Sequence, residues 1–255
     1  MEFECYARTD PGPVREHNED AFLVEQEEGL FVIADGMGGH AAGEVASRMA
    51  VETLLELLGG EGDDPDETRL VRDFEPTDTA DILRERLRYA MNQASVKIRK
   101  ESESRPETRG MGTTVVVLLA EDGQAHFAHV GDSRAYLYRE GRLIRLTRDH
   151  TVVQQEIDAG RLTPELARLV PHKHILTQSV GFHGPVEPDT TTRVIEPGDL
   201  FILCSDGLTD PLDDAAILEV VRSTPPEMLA DALCEAALAA GGEDNVTVVT
   251  VLARP

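Results

Sequence analysis

The stretch from Phe31 to His40 constrains the fold of this chain most strongly. It reads FVIADGMGGH, and its first four residues form an apolar run typical of a short buried strand. Asp35 follows directly and precedes glycines that would let the backbone approach a ligand closely. A carboxylate at the end of a buried strand is unfavourable unless an opposite charge offsets it. The usual offset is a cation, so this stretch predicts a cation site.

The same arrangement recurs elsewhere in the chain. An aspartate lies where an apolar strand meets a loop at Asp20, Asp35, Asp132, Asp206 and Asp244. A single aspartate of this kind is ordinarily a solvated turn residue. If all five converge, mutual repulsion would raise their pKa values and destabilise the fold in the absence of a cation. Mg²⁺ and Mn²⁺ take such oxygen ligands, and the five aspartates are therefore predicted to form a divalent-cation site.

Hydrophobic periodicity predicts an α+β fold in one domain, residues 1–255. The predicted strands are Glu2–Thr9, Ala21–Glu25, Leu30–Ala34, Thr113–Ala120, Gln124–Val130, Ala135–Arg139, Arg142–Thr147, Thr190–Ile195, Leu200–Cys204 and Asn245–Leu252. The predicted helices are Glu44–Leu58, a helix capped by Thr79 that reaches Ile98, Asp213–Val221 and Pro226–Ala240. Asp122-Gly123 and Glu140-Gly141 indicate hairpins. The acidic segment 61–78 is predicted to be a surface insertion.

Composition narrows the possible functions. The 48 acidic residues outnumber the 24 basic ones, and the net charge of −24 argues against nucleic acid or an anionic membrane as the main partner. No apolar run reaches the roughly 18 residues of a membrane span, and the first residues do not resemble a secretory signal. Cys5, Cys204 and Cys234 are far apart, which is typical of free thiols in a reducing compartment such as the cytoplasm. A solubilising surface or a saline cytoplasm would each explain the acidity.

Seven short motifs together carry a family resemblance. They are Arg15-x-x-x-Glu19-Asp20, Asp35-Gly36-Met37-Gly38-Gly39-His40, Gly112-Thr113-Thr114, Val130-Gly131-Asp132-Ser133-Arg134, Asp149-His150, Ser205-Asp206-Gly207-Leu208-Thr209-Asp210 and Gly242-Glu243-Asp244-Asn245. Their order across nearly the whole chain is far more specific than any one motif. The set resembles the metal-dependent (PPM, type 2C) serine/threonine protein phosphatases, and most closely their compact bacterial members.

The resemblance implies a four-layer α-β-β-α sandwich, in which two antiparallel sheets are flanked by helices. It also implies two tightly bound Mn²⁺ or Mg²⁺ ions at one end of the sandwich. By position, Asp35 would bridge both ions, and the carbonyl of Gly36 would bind one of them. Asp206 and Asp244 would hold one ion.

The remaining acidic positions complete the implied metal centre. Glu19 and Asp20 would support the other ion. Asp132 matches the position that helps to hold a third, weaker ion in bacterial members. The segment 151–180 matches the variable flap beside the site and is called the flap segment here.

The resemblance also implies a reaction, the hydrolysis of phosphoserine and phosphothreonine. Water between two cations loses a proton easily and can attack phosphorus, so no covalent phosphoenzyme is needed. Arg15 matches the residue that grips the substrate phosphate, for which its planar guanidinium is well suited. The general acid is His40, a metal-bound water or no group at all, because Met37 stands where animal-type members carry a histidine. The expected partners are phosphorylated proteins and a cognate bacterial kinase, and the protein is expected to be a monomer.

Other enzyme classes do not fit the sequence. The segment Gly36–Ala41 imitates a dinucleotide-binding fingerprint, but no second strand ending in an acid follows its helix. A Walker motif is absent from the sequence, and no cysteine has the arginine six residues later that a cysteine phosphatase needs. A transition-metal site at His150, His172 and His174 is the less favoured hypothesis, and these histidines are expected to pack in the flap segment or touch substrate.

Two alternatives stay open. One is a non-enzymatic module that captures phosphoproteins or cations, although the intact acidic set argues against it. The other is an enzyme of the same chemistry that prefers small phosphate esters or phosphotyrosine.

Overall fold

The structure is a computed structural model that describes residues 2–38, 42–60, 79–182 and 184–254. The strands are β1 (Glu2–Asp10), β2 (Asp20–Glu25), β3 (Leu30–Met37), β4 (Gly112–Thr113), β5 (Val115–Glu121), β6 (Gln124–Val130), β7 (Arg134–Arg139), β8 (Arg142–Arg145), β9 (Asp189–Val194), β10 (Leu200–Cys204) and β11 (Val246–Arg254). The helices are α1 (Ala42–Leu58), α2 (Thr79–Ser104), a 3₁₀ turn (Pro106–Thr108), α3 (Val152–Asp158), α4 (Pro164–Ala167), α5 (Asp206–Thr209), α6 (Asp214–Ser223) and α7 (Pro226–Ala239). His40 and the predicted insertion 61–78 lie outside the described residues.

The strands form two antiparallel sheets. One sheet has the order β1-β11-β10-β7-β8, and the other has the order β2-β3-β5-β6-β9 with β4 also paired to β3. Both predicted hairpins are confirmed, since Asp122-Gly123 and Glu140-Gly141 have the positive φ angles that a type I′ turn requires. None of the described helices is long and apolar enough to cross a membrane.

Three apolar layers hold the two sheets and the helices together. The first lies between the two sheets and includes Phe31, Phe127 and Phe201. The second lies between the β2–β9 sheet and helices α1 and α2, and the third lies between the β1–β8 sheet and helices α6 and α7. The predicted four-layer α-β-β-α sandwich is therefore confirmed.

Strand β3 shows how this layering positions a functional residue. Its successive side chains point to opposite faces, with Phe31 and Ile33 in the layer between the sheets and Val32 against the helices. Both faces are buried, which explains why the sequence run is apolar throughout. The same alternation places Asp35 on the face of Phe31 and Ile33, at the end of the gap between the sheets.

Some element boundaries differ from the predictions. Strand β3 continues through Asp35 to Met37, because Gly36 and Met37 pair with the short strand β4. The predicted strand Thr113–Ala120 is divided at Thr114, whose N–H is bonded to the carbonyl of Asp35 at 2.8 Å. Thr79 is the first helical residue of α2 and not its cap.

Candidate metal centre

Polar side chains from both sheets meet at the end of the gap between them. Asp20 of β2 lies directly opposite Asp35 of β3 in the antiparallel ladder. From the other sheet, the hydroxyls of Ser205 and Thr247 donate hydrogen bonds to Oδ2 of Asp20, at 2.8 and 2.6 Å. These bonds cross from one sheet to the other and make this end of the sandwich one continuous polar site.

The carboxylates in this site repel one another. Burial raises the pKa of Asp35 well above its ordinary value, and the neighbouring charges of Asp20, Asp206, Asp132 and Asp244 raise it further. Like charges directly opposite each other on paired strands destabilise a sheet. The predicted convergence of acidic side chains at the strand ends therefore has an unfavourable electrostatic energy in the metal-free protein.

One oxygen of Asp20 is left without a partner. Oδ1 is buried and has no hydrogen bond within the described part of the chain, whereas Oδ2 accepts the two hydroxyls. Burial raises the pKa of Asp20, the bonds from Thr247 and Ser205 lower it, and repulsion from Asp206 raises it again. A buried unpartnered oxygen among like charges is the environment that a bound cation would satisfy. The donor set consists of oxygens and fits a hard divalent ion.

Asp132 lies beside this group, in the turn between β6 and β7. Its side chain is buried, and burial followed by repulsion from Asp206 and Asp149 raises its pKa well above the ordinary value. The turn is anchored next to it, because the hydroxyls of Ser133 and Thr114 lie 2.7 Å apart. Asp132 thus faces the same cluster from a different strand pair.

Gly36 occupies a position at the end of β3 that has no room for a side chain. A Cβ atom at this position would lie 2.1 Å from the carbonyl oxygen of Gly43 and 2.6 Å from that of Glu19. The N–H of Gly36 also donates to the carbonyl of Glu19 at 3.1 Å. This close packing holds Glu19, Asp35 and the start of α1 together.

Arg15 lies at the open side of the cluster. Its Nη2 is 2.6 Å from Oδ2 of Asp244, and its side chain is 53% exposed. It lines a cleft of about 200 Å³ together with Glu19 and Asn245. Burial raises the pKa of Glu19, and the positive charge of Arg15 lowers it. A half-exposed guanidinium that lines a cleft beside an acidic cluster can bind an anion.

A residue of the flap segment reaches this cluster, which sequence reasoning did not specify. Nδ1 of His174 lies 3.6 Å from Oδ2 of Asp206 and 3.3 Å from Oδ2 of Asp210. Nζ of Lys173 lies 3.0 Å from Oδ1 of Asp210. The nearby carboxylates of Asp206 and Asp210 raise the pKa of His174 despite its partial burial. The sequence contains no local signal for this contact between distant segments.

Two groups of possible ligands have all their ligand atoms within 4.8 Å of one another in the described part of the chain. They are His174 with Asp206 and Asp210, and His129 with His150 and Asp189. No three of the predicted aspartates form such a group within the described residues. His150 and His174 belong to different groups, which contradicts a joint transition-metal site.

The predicted site residues thus fall into two sets. The interacting set consists of Arg15, Glu19, Asp20, Asp35, Asp132, Asp206 and Asp244, with Gly36 packed against Glu19. His40 lies outside the described residues. Sequence reasoning missed the roles of Ser205 and Thr247, although a threonine inside the apolar strand β11 is a signal that could have indicated the second.

A family profile described as Protein phosphatase 2C matches residues 14–240. The chain belongs to the protein phosphatase 2C family. It is 40% identical over 243 residues to the serine/threonine protein phosphatase PstP of Mycobacterium tuberculosis. The aligned residues cover 95% of this chain and 43% of that protein. This phosphatase 2C chain thus spans less than half the length of that relative. It is also 37% identical to the serine/threonine phosphatase stp of Listeria monocytogenes, over 96% of this chain and 93% of that one.

A solved structure of a phosphatase 2C relative contains metal. The catalytic domain of PstP in complex with two manganese ions superimposes with a TM-score of 0.81 and 37% identity, covering 100% of this chain and 99% of that one. The overlap includes both sheets and the acidic end of the sandwich. The two manganese ions bound in that relative agree with the oxygen-rich donor set found here.

Proposed function

We propose that residues 1–255 form one catalytic domain of a metal-dependent phosphoprotein phosphatase that hydrolyses phosphoserine and phosphothreonine. The observation that carries this proposal is the partly buried cluster of mutually repelling carboxylates, in which Oδ1 of Asp20 is buried and has no partner in the described structure. Family membership and the manganese-bound relative support the same function.

The residues present suggest how the metal would be held. Asp35 would contact two Mn²⁺ or Mg²⁺ ions, with the Gly36 carbonyl on one of them. Asp206 and Asp244 would hold one ion. Bound there, the ions would supply Lewis acidity and lower the pKa of water.

The remaining acidic residues would complete the centre. Glu19 and Asp20 would support the second ion, and Asp132 would contribute to a third, weaker one. Ser205 and Thr247 fix one oxygen of Asp20 and so leave the other oxygen to face the centre. The orientation of this ligand is thereby set before metal binds.

Arg15 would bind the phosphoryl group of the substrate. Its guanidinium is half exposed and lines the cleft, where a phosphate could replace Asp244 as its partner. Two parallel N–H donors match two phosphate oxygens, which favours arginine over lysine at this position. Substrate affinity would therefore depend on where the loop containing Arg15 is held.

A covalent cysteinyl phosphate is not part of the proposed reaction. Burial raises the pKa of the Cys204 thiol to about 12. Burial raises the pKa values of the Cys5 and Cys234 thiols to about 12 as well. A thiol of this kind is not ionised near neutral pH and is a poor nucleophile. Attack by water agrees with this property and with the oxygen-rich site. His40 would be one candidate for the general acid.

The biological setting belongs to the same proposal. The substrates would be phosphorylated proteins, and the enzyme would reverse the action of a serine/threonine kinase as a monomer. The three free cysteines support a reducing compartment such as the cytoplasm. The flap segment 151–180, which contacts Asp206 and Asp210, would contribute to substrate choice.

The test is hydrolysis of a phosphothreonine peptide with and without Mn²⁺, beside the Asp35→Ala variant. Turnover that requires metal and disappears in the variant supports the proposal. Binding of Mn²⁺ by the wild type without turnover of this peptide, a phosphotyrosine peptide or a small phosphate ester would support a binding module. Turnover of the phosphotyrosine peptide or the small ester alone would instead support an enzyme of the same chemistry that prefers those substrates.

A further inference from the structure

The loop of residues 11–19 carries Arg15 and Glu19 and contains no helix or strand. Its position therefore depends on side-chain contacts with the rest of the molecule. Asp10 accepts a bond from the N–H of Gly12 at 2.9 Å, and Asn18 donates to Thr9 at 2.8 Å. Both of these contacts join the ends of the loop to the last residues of β1, Thr9 and Asp10, which are near the loop in sequence.

Asn245 provides the connection to the opposite end of the chain. Its Nδ2 donates to the carbonyls of Pro11 and His17, both at 2.9 Å, and its Oδ1 accepts the N–H of Glu19 at 2.8 Å. The residue is 5% exposed. One amide group therefore ties together both arms of the loop, with Arg15 between them.

The chemistry of this position requires an amide. Asparagine offers two donors and an acceptor on one short side chain, and all three directions are used here. Aspartate would keep the acceptor but turn a negative oxygen toward two carbonyl oxygens. Alanine would leave three backbone groups of the loop, the carbonyls of Pro11 and His17 and the N–H of Glu19, without these partners.

Asn245 also follows Asp244 directly in the chain. The backbone N–H of Asn245 donates to Oδ1 of Asp244 at 2.9 Å, while Oδ2 of Asp244 contacts Arg15 at 2.6 Å. The loop and the acidic cluster are thus linked through two neighbouring residues. A shift of the loop would change the distance between Arg15 and the centre.

We propose that Asn245 is a positioning residue that holds the loop 11–19 so that Arg15 can bind the substrate phosphate. The inference rests on the proposed function, because it assigns Arg15 to phosphate. Asn245 itself is only 5% exposed and acts on substrate binding through Arg15.

A matched asparagine serves as the control. Asn92 donates to the carbonyls of Arg88 and Val186 and accepts the N–H of Val186, at 3.0 to 3.1 Å. It therefore makes the same number and kind of side-chain bonds, but it joins α2 to residue 186, outside the candidate centre. Asn92→Ala should destabilise the fold to a similar extent without moving Arg15.

The first measurement is steady-state hydrolysis of a phosphothreonine peptide with Mn²⁺. Asn245→Ala should raise KM on the order of 10-fold with a smaller change in kcat, whereas Asn92→Ala should change KM by less than about 2-fold. In an Arg15→Ala background, Asn245→Ala should add less than about 2-fold to KM, since its effect passes through Arg15. An equal increase in both backgrounds, or no increase in either, would overturn the proposal.

The second measurement needs no turnover. Amide hydrogen exchange of peptides covering residues 12–20 is recorded on the metal-free wild type, Asn245→Ala, Asn245→Asp and Asn92→Ala. Exchange should accelerate in both Asn245 variants, with the Glu19 amide least affected in Asn245→Asp, and remain unchanged in Asn92→Ala. Unaltered exchange in folded Asn245→Asp would overturn the inference even if Asn245→Ala fails to fold. Absence of wild-type turnover contradicts the proposed function instead and leaves this exchange result to decide the role of Asn245 in the loop.

Discussion

The guanidinium of Arg15 is paired with the carboxylate of Asp244, with 2.6 Å between Nη2 and Oδ2. The pair joins a predicted phosphate-binding residue to a predicted metal ligand. Both side chains are substantially exposed, so water screens the pair and its contribution to stability is small. A phosphate group could therefore displace Asp244 from Arg15 at little cost.

Arg15→Ala should raise KM for a phosphothreonine peptide by about 10-fold or more, because a charge-assisted contact with phosphate is lost. Arg15→Lys should restore little of this loss, since an ammonium group lacks the planar pair of donors. Steady-state kinetics in Mn²⁺ measures both effects. The control is Arg254→Ala, which removes an exposed arginine paired with Glu4 at 2.8 Å. An unchanged KM in Arg15→Ala would remove Arg15 from phosphate binding.

Asp35→Ala should abolish metal-dependent turnover while the metal-free protein stays folded. The carboxylate is repelled by its acidic neighbours, so its removal relieves an unfavourable interaction when no cation is bound. The unfolding temperature of the metal-free variant should equal or exceed that of the metal-free wild type. Calorimetric titration should show weakened Mn²⁺ binding.

The matched control for Asp35 is a buried aspartate with a cationic partner. Asp199 is 1% exposed and accepts two hydrogen bonds from Arg139 at 2.6 Å. Asp199→Ala should lower the free energy of unfolding by about 1–3 kcal/mol and leave Mn²⁺ binding unchanged. Near-normal turnover by Asp35→Ala would exclude Asp35 from the catalytic centre.

Asp149 makes a contribution to the stability of the fold that is lost at acidic pH. Burial by itself would raise the pKa of Asp149, but Arg134 and Arg145 outweigh burial and lower it below the ordinary value of 3.8. A carboxyl group with a lowered pKa in the folded state stabilises the protein above the unfolded-state pKa. This contribution is lost as the pH falls through the folded-state pKa.

Asp149→Asn should therefore lower the free energy of unfolding by about 3 kcal/mol at pH 7, because two partly buried guanidinium groups lose their counter-ion. The difference from wild type should shrink as the pH falls below 3.8. Urea unfolding at a series of pH values measures it. Asp158→Asn, which affects an exposed pair with Arg148, should cost less than about 1 kcal/mol. A pH-independent difference for Asp149→Asn would contradict the ion-pair explanation.

The flap segment should loosen when metal binds. His174 lies within 3.6 Å of Asp206 and 3.3 Å of Asp210, and a cation on Asp206 would compete with the histidine for the same carboxylate. Amide hydrogen exchange in residues 168–176 should therefore accelerate when Mn²⁺ is added. His174→Ala should show the faster exchange before metal is added and respond less to Mn²⁺. Slower exchange of the wild-type segment with Mn²⁺ would show that metal and flap do not compete.

The sequence determined the main features of the fold through local physical chemistry. Continuous or alternating apolar runs specified strands, and Asp122-Gly123 and Glu140-Gly141 specified hairpins because these pairs tolerate positive φ. The sequence did not determine the C-terminal end of β3, which was predicted at Ala34 and lies at Met37. Its last residues are polar or glycine, and the strand there is fixed by pairing with Thr113 and Gly112, more than 70 positions away in the chain.

Part of the candidate site was also predictable from the sequence, and part was decided only by the tertiary structure. Aspartates beside apolar strands, such as Asp35 and Asp206, were visible in the sequence because burial of a carboxylate is unfavourable and therefore informative. The contacts of Asn245 with the loop 11–19 and of His174 with Asp206 join segments that are distant in the chain. Only the packing of the two sheets and the flap segment brings them together, because hydrogen bonds and ion pairs act over a few ångströms in space, whatever the separation in sequence.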